Sequence, residues 1–193
     1  MPDREILLIM PSAKPEVKAG PVLKSFEPLC SGTACVLILG SMPGGASLAA
    51  GRYYAHPSNR FWPLLAELFP AHRNGFLSAD FDERYRAAQA AGLALWDTIG
   101  VCEREGSLDS AIRSVRANDI AGLLAREPGI RLVILNGRKS GEVWKKHAEA
   151  AALAARPGLR TAFLPSTSPA NARFRLADLV REWGIALKEN GIA

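Results

Sequence analysis

The chain has 193 residues, of which 48% are hydrophobic and 22% charged, with a net charge of +5. That length and balance fit a single soluble domain with a substantial core, and the basic excess favours a polyanionic partner such as nucleic acid. The three cysteines, Cys30, Cys35 and Cys102, have no CxxC spacing and cannot supply the four ligands of an iron–sulfur cluster or structural zinc.

Residues 1–22 carry Pro2, Pro11, Pro15, Gly20 and Pro21, and predict a poorly ordered or loosely docked extension ahead of a domain spanning 23–193. The apolar stretch Ile6–Met10 is too short for a membrane span and weak as a signal peptide. Idle thiols and the lack of a leader point to a reducing, cytoplasmic setting.

The first strong element is the aliphatic run Val36-Leu37-Ile38-Leu39, which enters the tight turn Gly40-Ser41-Met42-Pro43-Gly44. Tyr53, Tyr54, His56, Asn59 and Arg60 then crowd together before a helix holding Phe61, Leu64, Leu65 and Leu68, which Ser58 can cap. Flat rings and amides at the exit of a buried strand suit a planar, hydrogen-bonding ligand such as a nucleobase. A second helix is expected from Asp82, ending at Gly92. Further apolar strands are expected at Gly92–Trp96, Arg131–Leu135 and Arg160–Leu164. A short turn at Asp109–Ile112, a helix capped by Asn118, an alanine-rich helix over Ser140–Leu153 and a last helix opening at Asn171 or Ala172 complete the pattern. Strands alternating with helices predict an α/β fold with a largely parallel sheet. Ligands of such sheets bind outside the carboxyl ends of the strands. The segments Met42–Asn59, Asp97–Cys102, Asn136–Arg138 and Ser166–Asn171 should therefore converge on one edge.

Three motifs in this order resemble the uracil-DNA glycosylase superfamily. They are Gly40-Ser41-Met42-Pro43-Gly44, the stretch Tyr53 to Trp62, and Leu164-Pro165-Ser166-Thr167-Ser168-Pro169-Ala170-Asn171. Together with Arg104-Glu105-Gly106-Ser107-Leu108-Asp109 they look most like the hypoxanthine (deoxyinosine) glycosylase branch. The resemblance covers about Val36 to Leu187. It implies a three-layer α/β/α fold with a short, mainly parallel sheet. It also implies an enzyme that hydrolyses the N-glycosidic bond of deaminated bases, hypoxanthine favoured and uracil possible; no lysine is placed as a Schiff-base nucleophile, so a monofunctional enzyme is expected. The substrate would be double-stranded DNA, and the enzyme a monomer without metal or cofactor. A mismatch-specific uracil or thymine glycosylase and a silent damaged-DNA or nucleotide-binding module are the alternatives.

The resemblance also carries a departure. Mismatch-specific relatives place asparagine, and classical uracil enzymes aspartate, where Met42 stands, and methionine cannot handle a water. Ser166 stands where the second motif places histidine or asparagine. The hypoxanthine branch is thought to rely on the asparagine that matches Asn59, which makes Asn59 the catalytic candidate. Asn59 can orient water or bond the leaving base, or it can cap the following helix. Tyr54 matches the stacking ring of the pocket, or is a core tyrosine. His56 either serves as an acid or base or shapes its loop. Asp97 can accept the N1–H of hypoxanthine or the N3–H of uracil, or can cap a helix or pair with an arginine. Gly40, Ser41, Met42 and Pro43 form the base-binding wall, with Ser41 able to present its N–H to base or water. Ser166, Thr167 and Ser168, with N–H groups opening the last helix, suit phosphates; Pro169, Ala170 and Asn171 match the wedge loop. Arg173 and Arg175 are candidate backbone clamps or solvated charges.

Overall fold

The computed structural model describes residues 20–192, so the expected extension lies almost wholly outside the described residues. Two sheets organise the chain. The larger is four-stranded, in the order β3 (Leu93–Asp97), β2 (Val36–Gly40), β6 (Leu132–Asn136) and β7 (Arg160–Leu164), with every neighbouring pair parallel. Strands β2, β3 and β6 are buried at every position. Such runs cannot face water, so helices must cover both sides. Helices α2 (Phe61–Leu68), α3 (Arg73–Phe76), α4 (Phe81–Ala90) and α8 (Leu176–Glu189) pack in one group, and α5 (Ile120–Arg126), α6 (Arg138–His147) and α7 (Glu149–Ala155) in another. This is the three-layer α/β/α arrangement expected from the sequence.

The smaller sheet is antiparallel and has the order β1 (Val22–Lys24), β4 (Ile99–Glu103), β5 (Arg113–Ala117). The apolar-run criterion does not find it. Strand β5 is a mostly exposed Arg-Ser-Val-Arg-Ala, and β1 starts inside the segment read as an extension. Its apolar side forms a second core of Met42, Ile99, Cys102, Ile112 and Val143 beneath the first turn motif.

Several boundaries move for local reasons. Helix α4 is capped by Asp80, which accepts from the Asp82 N–H, so Asp82 lies inside the helix rather than at its start. Asp119, not Asn118, caps α5 by accepting from the Gly122 N–H; Asn118 instead donates to Ser25 and to the Asp97 carbonyl. The alanine-rich helix breaks at Ala148 into α6 and α7. The last helix begins at Leu176 behind a capping box of Arg175 and Asp178, four residues or more after the expected start. Residues 168–174 are spent on a turn instead, in which the Asn171 N–H donates to the Ser168 carbonyl.

Register places the strand ends together. Gly40 is paired with Asp97, and Asn136 with Leu164. All four carboxyl ends therefore open on the same edge, as the topology argument predicts.

Candidate active site

A cavity of about 940 Å³ lies at that edge. Its walls include Gly40, Ser41, Met42, Pro43, Tyr54, Asn59, Asp97 and Asn136, with Ser166–Asn171 and Arg173 on the other side. Every base-binding and wedge-loop residue named from the sequence is thus on one cavity. Arg175 is instead the N-cap of α8.

The strand end sets the floor. A Cβ on Gly40 would sit 2.5 Å from Asp97 Oδ1 and 3.4 Å from the Tyr54 hydroxyl. Only glycine lets the carboxylate and the phenol approach this closely. Tyr54 has φ +53°, a left-handed conformation uncommon for a bulky residue. Its ring stacks on Phe61 at 3.6 Å with 17° between planes. Phe61 backs one face of the ring, and Tyr54 also borders the cavity. Burial pushes the phenol pKa up, with the charge of Asp97 adding to it. Tyr53, by contrast, is a core residue whose hydroxyl donates to the Glu27 carbonyl.

Asp97 is 4% exposed and ends β3; it caps no helix and forms no ion pair among the described residues. Its Oδ2 is buried without a hydrogen-bond partner. Burial pushes its pKa up to about 8; the Arg104 guanidinium opposes the shift and the Asp109 charge adds to it. A shift in that direction favours the protonated form, which can both donate and accept.

Asn59 does what a capping residue does, since its Oδ1 accepts from the Phe61 N–H at 3.0 Å. That bond fixes the amide and leaves its NH2 group for the cavity. His56 Nδ1 accepts from the Ser58 N–H at 3.1 Å, which is the loop-shaping reading of that residue. Ser58 does not cap α2; Arg60 occupies the N-cap position.

Met42 is 6% exposed and packs into the second core, so its side chain serves as apolar packing under the turn rather than as a polar group of the cavity. Around it the turn motif is tied to the loop after β4. Arg104, 1% exposed, donates to the Pro43 carbonyl at 2.6 Å and to the Gly106 carbonyl at 3.1 Å. Ser107 Oγ accepts from the Gly45 N–H at 2.9 Å, and Ser41 Oγ donates to Asp109 Oδ1 at 2.7 Å. Ser107 and Asp109 line the cavity, and neither had been assigned a role from the sequence.

The opposite wall is held by Arg60, which the sequence placed only among the polar residues before α2, and by Asn136, which opens the segment Asn136–Lys139 read as a turn or a DNA contact. Arg60 Nε donates to the Thr167 carbonyl at 3.3 Å, and its terminal nitrogens donate to the carbonyls of Ser168, Asn171 and Phe174. Buried Asn136 accepts from the Thr167 N–H at 3.0 Å and donates to Thr167 Oγ1 at 3.1 Å, with the Tyr54 hydroxyl 3.4 Å away. Gly137, at φ +101°, has no room for a Cβ, which would meet Ser166 at 2.8 Å. Within the loop the Ser166 and Ser168 hydroxyls accept from the N–H groups of Ser168 and Ala170. The first N–H groups of α8 lie farther along, so they do not join Ser166–Ser168 as the sequence suggested.

A family model of the uracil DNA glycosylase superfamily matches residues 27–183. The chain belongs to that superfamily. Its enzyme class is accordingly that of a DNA N-glycosylase, a hydrolase whose substrate is DNA. A relative named hypoxanthine DNA glycosylase, from Methanosarcina acetivorans, is 35% identical over 139 residues, 72% of this chain and 82% of that protein. One of the same name from Methanosarcina barkeri is 34% identical over 119 residues, 62% and 73% of the two chains. A solution NMR structure from Methanosarcina acetivorans, described as a candidate uracil DNA glycosylase, is similar with a TM-score of 0.73 at 31% identity. The alignment covers 88% of this glycosylase and 98% of that chain. Among the described residues, no helix is long and apolar enough to cross a membrane.

Proposed function

We propose that this glycosylase removes hypoxanthine, and more weakly uracil, from duplex DNA by hydrolysing the N-glycosidic bond without cutting the strand. The single observation that carries the reading is the grouping of Tyr54, Asn59 and the buried, unpaired Asp97 on one cavity beside Gly40. The relatives named hypoxanthine DNA glycosylase support the same choice.

A base inside a duplex must leave the stack before it can be attacked. Once flipped, it lies against the Tyr54 ring, which Phe61 backs from behind. Hypoxanthine presents N1–H beside O6. A neutral carboxyl at Asp97 accepts from the first and donates to the second, so one side chain satisfies both positions. The free NH2 of Asn59 donates to the base as negative charge develops on it during departure, an interaction stronger in the transition state than before it. Ser41, next to Gly40, presents its N–H to the base. On the other wall Ser166, Thr167 and Ser168 follow the flanking phosphates, Pro169, Ala170 and Asn171 enter the gap, and Arg173 sits near the backbone.

The test is a lesion panel. Duplexes carrying one inosine, uracil or xanthine are incubated with enzyme and then cleaved with alkali at abasic sites. Fastest release of hypoxanthine, with strands intact before alkali, is the expected result. Uracil released faster favours the mismatch-specific reading, and binding without any abasic product leaves only the silent module.

A further inference from the structure

In an N-glycosidic hydrolysis the attacking water must be placed at C1′ and gives up a proton, and Met42 serves neither purpose. The other acceptors of the cavity are committed elsewhere. Asn59 Oδ1 is bonded to the Phe61 N–H. Asp97 is buried at the end of β3, where burial pushes its pKa up and disfavours the basic form. Glu142 is paired with Arg138 at 3.5 Å and Lys139 at 3.7 Å. His56, exposed as Asp109 is, spends Nδ1 on the Ser58 N–H of its own loop, whereas Asp109 is tied by Ser41 to the turn motif itself.

Asp109 remains. It lines the cavity and pairs with no cation among the described residues. Ser41 Oγ donates to its Oδ1 at 2.7 Å, which fixes the carboxylate and leaves Oδ2 for a water. The loop that carries it is anchored twice just ahead of it, by buried Arg104 on the Pro43 carbonyl and by Ser107 on the Gly45 N–H. Such anchoring is what a group that must hold a water in place requires.

We propose that Asp109 is a catalytic carboxylate that binds and deprotonates the attacking water, with Ser41 as its positioning residue. The inference rests on the glycosylase reading above. In the step, the water oxygen forms a bond to C1′ as the C1′–N bond breaks. The electron pair of that bond leaves with the base, and the water proton passes to the Asp109 carboxylate. The departing base anion is then protonated from solvent, and Asp109 returns its proton there. Two acidic side chains on one cavity thus divide the work, the buried Asp97 facing the base and Asp109, tied to Ser41, facing the water.

Asp109→Asn keeps an oxygen for the Ser41 hydroxyl and loses only the basic carboxylate. Single-turnover release of hypoxanthine from duplex DNA is expected to fall at least about a hundredfold, the lower end of what general-base catalysis contributes. Duplex affinity, measured with a non-hydrolysable 2′-fluoro inosine strand, and melting temperature should stay at wild-type values. Formate should restore part of the rate of Asp109→Ala in a concentration-dependent way. Ser41→Ala should cost about tenfold, with Ser41→Thr recovering most of it. An Asp109→Asn rate within about threefold of wild type overturns the assignment. So does a loss of rate matched by a loss of affinity, or an Asp109→Ala enzyme that formate does not rescue. A wild type that releases no base overturns the glycosylase reading itself; an active wild type beside an active Asp109→Asn overturns this inference alone.

Discussion

The two walls of the cavity are held by different means. The first, Gly40–Gly45, is tied down by side chains from the loop after β4: Arg104 on Pro43, Ser107 on Gly45 and Asp109 bonded by Ser41. The second, Ser166–Asn171, is held through its backbone by the fork of Arg60 and by buried Asn136. The first wall presents carboxyls and a hydroxyl. The second exposes Pro169 and Ala170, with Arg173 beside them. In the proposed reading one wall holds the reacting atoms and the other carries the loop that meets DNA. Arg60 stands next to Asn59, so one short segment lines the cavity and also fixes the loop on its far side.

The largest expected effect concerns Asp97. Its folded pKa of about 8 lies above the ordinary 3.8. The unfolded chain loses the proton from about pH 4, while the folded chain keeps it to about pH 8. Between those values the unfolded state binds fewer protons, so stability falls as pH rises, by up to about 1.4 kcal/mol per pH unit, and levels above pH 8. Asp97→Asn stays neutral and removes this slope. Denaturant melts of both proteins from pH 5 to 9 should diverge with rising pH, and parallel curves would show that Asp97 is ionised in the fold.

Arg60→Ala should come next. Loss of charged hydrogen bonds to four carbonyls is expected to destabilise the protein by about 3 kcal/mol and to weaken duplex binding. Lysine, a point charge without a fork, should not rescue it. A variant with normal binding would separate the second wall from Arg60.

Tyr54→Ala should weaken capture of the flipped base by about 1–3 kcal/mol, the worth of one base–aromatic stack. A fluorescent base analogue opposite the lesion would report it. If only the melting temperature falls, Tyr54 belongs to the core alone.

Asn59→Ala should slow single-turnover excision at least about tenfold. Because Asn59 also bonds the Phe61 N–H, Asn59→Asp is the useful companion: it keeps that acceptor and removes the NH2 donor. Equal rates for wild type and Asn59→Asp would remove the amide donor from the mechanism.

Much of this site was legible in the chain because its motifs are local. Gly40, Tyr54 and Asn59 lie within twenty residues, and the wedge loop is one short segment. What could not be read was the support. Asp109 is 68 residues from Ser41, and Arg60 is more than 100 from the carbonyls it holds. Neither spacing carries a periodic signal. The small antiparallel sheet escaped for a related reason, since its exposed strands lack the apolar runs that mark the buried ones.

By itself the sequence determined the parallel sheet, through continuous apolar strands that only a three-layer fold can bury. It also determined the order in which the cavity motifs meet the sheet edge. The tertiary structure alone decided the upward shift of the Asp97 pKa, because burial beside Gly40 and the charges of Arg104 and Asp109 come from distant parts of the chain. It alone decided which acceptors are free, because a hydrogen bond to a backbone N–H leaves no trace in residue type. The methionine at position 42 showed where the usual polar group is missing; only the fold brought Asp109 to Ser41 beside it.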